Sequence, residues 1–86
     1  MEEITTLDKL PVGAEASVRQ LRASGGIRRR LMDLGFVVGA CAACVGESPL
    51  GDPKAFLIDG AVIALRKKDC ASIDILRGDC IEQGKS

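Results

Sequence analysis

One stretch of this chain, Gly25-Gly26-Ile27-Arg28-Arg29-Arg30-Leu31-Met32-Asp33-Leu34-Gly35, reads as a helix with both ends marked, and everything around it reads as short strands and turns. Ile27, Leu31 and Leu34 recur at i, i+4 and i+7, which a 3.6-residue period gathers into one apolar stripe. That stripe predicts a helix of about two turns over residues 27–34, with its apolar face against a core. Gly35 follows the last periodic residue, where a left-handed conformation satisfies the final carbonyls without a Cβ clash.

The charges on this helix do not favour it. Three arginines crowd the first turn, where free N–H groups already carry partial positive charge. On the helical wheel Arg29 and Asp33 share the face opposite the stripe, while Arg28 and Arg30 flank it. Two readings follow. In the plainer one, the aliphatic stems cover the edge of the core and the guanidinium heads are solvated. In the other, bare glycine amides, a helix start and guanidinium groups form a surface for carboxylate or phosphate oxygens on an acidic partner. Arg28 and Arg29 are then assigned to the partner and Arg30 to the structure.

Eighty-six residues make one small domain, which buries only about 60 to 65% of its unfolded surface and leaves little room for a large active-site cleft. Twelve basic and twelve acidic side chains balance, which argues against a nucleic-acid binder held by field alone. The chain has no His, Trp or Tyr, so the usual general base and the usual base-stacking platform are missing. A binding module without catalytic residues or cofactor is expected. Met1-Glu2-Glu3 opens acidic, with no apolar segment behind it, and the longest uncharged run, Leu34 to Gly46, is too short for the ~20 residues of a membrane-spanning helix. A cytoplasmic protein is expected.

In chain order, Leu7 and Leu10 fit a single turn docked on the domain, and Leu10-Pro11-Val12-Gly13 fits a type I turn. Ala14 to Leu21 alternates like a strand with one wet face, and Ala40 to about Glu47 forms a second strand. Ser48-Pro49-Leu50-Gly51-Asp52-Pro53 is a loop, with Asp52 held extended by Pro53. Lys54 to Asp59 and Ala61 to Arg66 are strands about a tight pivot at Gly60, with Phe56 and Ile58 on one face and Ile63 and Leu65 on another. One helical turn over 67–72 leads to a last strand, 73–76, and residues 77–86 form a loose tail beyond a single domain of 1–76. About five short strands with one helix after the first are best arranged as a small, closed or nearly closed barrel.

Arg29-Arg30-Leu31-Met32-Asp33-Leu34-Gly35 with Val38-Gly39, then Pro49-Leu50-Gly51-Asp52-Pro53, then Ala64-Leu65-Arg66, together resemble the FeoA family of small ferrous-iron transport proteins. Leu10-Pro11-x-Gly13 joins them, so the resemblance covers residues 5–76. It implies an SH3-like β-barrel with an inserted helix, cytosolic and non-enzymatic, working beside the FeoB-type membrane permease that carries a GTPase domain. The surface assigned to that partner comprises Arg28, Arg29, Met32 and Asp33 of the helix and Leu50, Gly51 and Asp52 of the loop. In one reading the loop is a shaped recognition element, since stiff prolines lower the entropy lost on binding and Gly51 allows close backbone approach; in the other it is a plain connector between strands.

The cysteines depart from the family pattern. In a reducing compartment all four are expected to remain thiols. Cys41-x-x-Cys44 resembles half a zinc site, but residues three apart on a strand point to opposite faces, so Cys44 is expected in the core and Cys41 in water unless a bulge at Ala42 or Ala43 intervenes. Cys70 is expected to pack inward and Cys80 to lie in the tail. No metal ligand set is therefore assigned. A metal-binding protein acting through Cys41 and Cys44, and a small-barrel nucleic-acid binder using the arginines, stand as alternatives.

Overall fold

The computed structural model describes residues 4–78 and residue 80. Six strands follow one another as β1 (Ile4–Thr6), β2 (Glu15–Leu21), β3 (Cys41–Glu47), β4 (Lys54–Ile58), β5 (Ala61–Leu65) and β6 (Ile73–Arg77). Helix α1 (Gly25–Asp33) lies between β2 and β3, and the one-turn helix α2 (Lys67–Cys70) between β5 and β6. All neighbours are antiparallel, in the order β1-β6-β2-β3-β4-β5. The expected five strands are six, because Ile4–Thr6 pairs with β6, Ile4 opposite Leu76. Three residues are too few to show a period. The helix consequently follows the second strand, β2, which the sequence had presented as the first.

Alternation then fills the core. Ala42 and Cys44 of β3, Phe56 and Ile58 of β4, and Ile73 and Ile75 of β6 all point inward. On β2 the inward residues are Ala16, Val18 and then Leu21, because the ladder to β6 slips between Val18 and Gln20 and shifts the phase by one. A second irregularity, between Cys44 and Gly46, bends β3 where it pairs with β4. Such bulges increase local twist and help so small a sheet curl around its own core. Phe36 and Phe56 meet edge to face inside it, with ring centroids 6.3 Å apart. The 3-10 turn Leu7–Lys9 places Leu7 and Leu10 in the same core. The following turn closes one residue later than expected, through the Ala14 N–H to the Pro11 carbonyl (3.1 Å).

The helix ends as its sequence predicts. Gly35 takes φ +111°. Its N–H donates to the Met32 carbonyl at 3.0 Å, and that of Phe36 to the Leu31 carbonyl at 3.0 Å, the two bonds of a Schellman cap. The apolar stripe is shallower than expected. Leu31 is 2% exposed and Leu34 half-buried, but Ile27 is 52% exposed. Ile27 instead lines a groove that stays open between α1 and α2. Arg77 closes β6, Gly78 follows it and Cys80 is joined back to the barrel; positions 79 and 81–86 of the expected tail lie outside the described residues, as does Met1-Glu2-Glu3.

Candidate functional site

Helix α1 gathers four of the seven expected partner residues. Arg28, Arg29, Met32 and Asp33, with Gly25, surround one open depression of about 340 Å³, and all are exposed. Arg28 is not free, because its Nη1 donates to the Leu21 carbonyl at 3.0 Å, tying the helix start to the end of β2. Arg29 and Arg30 have no acidic partner among the described residues. Arg28 thus carries the structural bond expected of Arg30, while Arg30 makes no ion pair among the described residues. A helical wheel locates faces but cannot show that the last carbonyl of the preceding strand sits within reach of Arg28.

Arg30 faces the groove between α1 and α2, about 340 Å³ in volume, whose walls include Ile27, Leu65, Arg66 and Lys68. Three cationic side chains around an exposed isoleucine make a surface suited to an acidic, partly apolar segment. Among the described residues Asp69 is the single acid lining it. Arg66 and Lys68 were absent from the expected site; the Ala64-Leu65-Arg66 pattern was the available signal.

The loop between β3 and β4 places the other three residues. Ser48 braces it: its Oγ donates to the Asp52 carbonyl (2.7 Å) and accepts from the Asp52 N–H (3.1 Å), while the Gly51 N–H donates to the Ser48 carbonyl (2.7 Å). Leu50 stands at the apex, 93% exposed, and Gly51 beside it has φ +85°. Asp52 has a structural partner, since its Oδ1 accepts the Lys67 N–H at 2.8 Å, at the first residue of α2. This bond locks the loop to α2 and hence to the groove, whose continuation beside Arg30 is bounded by Pro53.

Beneath this surface lies a buried polar cluster. Lys54 is 6% exposed, and its Nζ donates to the carbonyls of Asp8 (3.0 Å) and Leu10 (2.8 Å), with Glu47 Oε1 3.9 Å away. Asp8 Oδ1 is buried without a hydrogen-bond partner in the described structure. Burial first, and then the Asp8 carboxylate, push the Cys70 thiol from 9.0 up to about 12, so it stays protonated at neutral pH.

The cysteines correct the expectation of four thiols. Cys41 forms a disulfide with Cys80, their Cα atoms 5.9 Å apart, while Cys44 and Cys70 are free and buried. The irregularity in β3 falls after Cys44, not at Ala42 or Ala43, so Cys41 and Cys44 keep opposite faces and cannot chelate one ion together. Among the described residues no helix is long and apolar enough to cross a membrane.

The strand order, the helix inserted between β2 and β3 and the exposed cationic face define a small SH3-like β-barrel module. Residues 5–77 match the model of the FeoA domain. The chain belongs to the FeoA family, which is associated with ferrous-iron transport. It is 32% identical over 69 residues to the Fe(2+) transport protein A/Fe(2+) transporter FeoB fusion protein of Porphyromonas gingivalis, covering 80% of this chain and 8% of that much longer one. The solution structure of FeoA from Chlorobium tepidum is 32% identical, with a TM-score of 0.80 over 94% of this chain and 76% of its own. FeoA of Stenotrophomonas maltophilia in complex with zinc, described as an SH3 domain protein, is also 32% identical, with a TM-score of 0.69 over 83% and 88%.

Proposed function

We propose that this chain is a non-catalytic accessory module that docks on the cytosolic, GTPase-bearing part of the ferrous-iron permease and modulates its nucleotide-linked transport. The carrying observation is helix α1, which presents Arg29 beside the exposed Met32 in one depression and Arg30 beside the exposed Ile27 and Arg66 in the groove toward α2, none of these guanidinium groups having an acidic partner among the described residues. Unpaired guanidinium groups around apolar anchors suit recognition of carboxylates with a hydrophobic contact at the centre. The Porphyromonas gingivalis relative, which carries FeoA and FeoB in one polypeptide, supports the choice of partner.

The test is anaerobic binding of the chain to the isolated cytosolic part of the permease, with and without guanine nucleotide. Reversing Arg29 and Arg30 to Glu should weaken association by about 1 to 3 kcal/mol, and moderate salt should weaken the wild-type complex. Arg28 is left intact in this variant because its bond to Leu21 belongs to the fold. Wild-type affinity in the double variant would rule out this face.

A further inference from the structure

Cys41 opens β3, and Glu15 opens β2 on the neighbouring strand. Ser17 stands opposite Cys41 and Glu15 opposite Ala43, so Glu15 and Cys41 are diagonal neighbours on the same face of the sheet. The chain leaving β6 is led to the same point, because the Gly78 N–H donates to the Glu15 carbonyl at 3.3 Å and Cys80 follows two residues later. One ligand atom from each of Glu15, Cys41 and Cys80 lies within 4.8 Å of the others. Glu15 Oε1 is 3.6 Å from Cys41 Sγ, a contact that is not a hydrogen bond, since a disulfide sulfur carries no proton. No described cation pairs with Glu15.

We infer that Glu15, Cys41 and Cys80 form a redox-controlled site for a divalent first-row transition cation, closed as the disulfide and opened by reduction. A dithiol reductant supplies two electrons and two protons; the Cys41–Cys80 bond breaks, two thiols form and the reductant becomes a disulfide. Coordination by both sulfurs then releases those two protons to solvent. Zinc-like bond lengths of about 2.3 Å to sulfur and 2.0 Å to oxygen place tetrahedral ligands about 3.8 Å apart for two sulfurs and about 3.5 Å for sulfur and oxygen. The Glu15–Cys41 contact already has the latter spacing, and reduction frees the two sulfurs to separate to the former. Two thiolates and one carboxylate suit a borderline ion such as ferrous iron or zinc, and leave a coordination position free. An open groove of about 490 Å³, bounded by Glu15, Cys41, Val37, Leu57 and Asp59, gives access from solvent.

The probe is Co²⁺, added anaerobically to the full chain after reduction by a phosphine, which contributes no thiol of its own. One equivalent should bind with sulfur-to-cobalt charge-transfer bands and the intense visible bands of a tetrahedral site, and Zn²⁺ should displace it. The oxidised chain should show neither band. Cys80→Ser and Cys41→Ser should each lose the two-thiolate spectrum, Cys44→Ser should keep it, and Glu15→Gln should weaken affinity about tenfold or more. Circular dichroism of each variant separates loss of the site from loss of fold, and the reference is the reduced wild type, which also lacks the disulfide, so that Cys80→Ser, outside the core strands, removes no core contact beyond it. A reduced chain with no stoichiometric Co²⁺ binding would overturn the inference. So would equal binding by the oxidised chain, or a spectrum that survives Cys80→Ser.

Discussion

Lys54 Nζ donates to the Leu10 carbonyl at 2.8 Å inside the barrel, joining the first residue of β4 to the segment that leaves the 3-10 turn. A second bond, to the Asp8 carbonyl, lets one ammonium group satisfy two buried main-chain acceptors in a region no ladder reaches. Lys54→Met keeps much of the apolar stem but orphans both carbonyls. Charge-assisted bonds of this kind contribute about 1.5 to 3 kcal/mol each, with part of that offset by the desolvated charge removed. The variant should lose about 2 to 4 kcal/mol in urea unfolding; a loss below about 0.5 kcal/mol would show that the bonds do not hold the segment.

Leu31 and Ile27 were expected on one buried stripe, and the structure separates them. Leu31→Ala should cost about 2 to 4 kcal/mol, because it empties a core position that the short helix cannot readily collapse into. Ile27→Ser should cost less than about 1 kcal/mol, since this side chain faces an open groove. Equal losses in denaturant melts would place Ile27 back in the core.

These cases show what was legible in the sequence. Period-two alternation placed Phe56 and Ile58 on one face, and three-residue spacing kept Cys41 and Cys44 apart, because both depend only on local geometry. The glycine after the helix was legible for the same reason. What was not legible depends on topology. Cys41 and Cys80 are 39 positions apart, and nothing local shows that β6 lies beside β2 and brings its following residues to the start of β3. Lys54 reads in the sequence only as the start of a strand, because both of its acceptors lie more than forty residues away. Arg28 rather than Arg30 is bonded to the body of the domain because the Leu21 carbonyl lies within its reach, while Arg30 lines the groove toward α2.

Cys70 makes stability depend on pH in a defined direction. The unfolded thiol ionises near 9.0 and the folded one near about 12, so the native state holds its proton more tightly. The resulting stabilisation is complete below pH 9 and is lost progressively as pH rises toward 12. Urea unfolding between pH 8 and 11 should therefore show falling stability, with a shallower fall in Cys70→Ala. Identical slopes would remove Cys70 as the cause. In the oxidised native protein, a thiol reagent at neutral pH should leave Cys44 and Cys70 unmodified, and unfolding should expose both.

The disulfide should contribute to stability through the chain it closes. Joining residues 39 apart restricts the unfolded ensemble by about 3 to 4 kcal/mol in the chain-entropy treatment. Reduction, or Cys80→Ser, should lower the melting temperature markedly. Metal added to the reduced wild type, and not to Cys80→Ser, should restore part of the difference through mass action. An unchanged melting temperature on reduction would mean that residues after β6 are held without the covalent link.

Leu50 and Asp52 occupy one loop but should respond to mutation in opposite ways. Asp52 caps α2 by accepting the Lys67 N–H, so Asp52→Ala should cost about 1 kcal/mol of stability and loosen the loop. Leu50 touches little of its own protein, so Leu50→Ser should leave stability within about 0.5 kcal/mol of wild type. If the apex is an apolar anchor for the permease, the same substitution should weaken docking by about 1 to 2 kcal/mol, with little change in its salt dependence. Charge reversal at Arg29 and Arg30 should instead alter the salt dependence. Measuring affinity at two ionic strengths for both variants separates the two contributions. Full affinity in Leu50→Ser would reduce the loop to a connector between β3 and β4 and leave α1 and the cationic groove as the docking face.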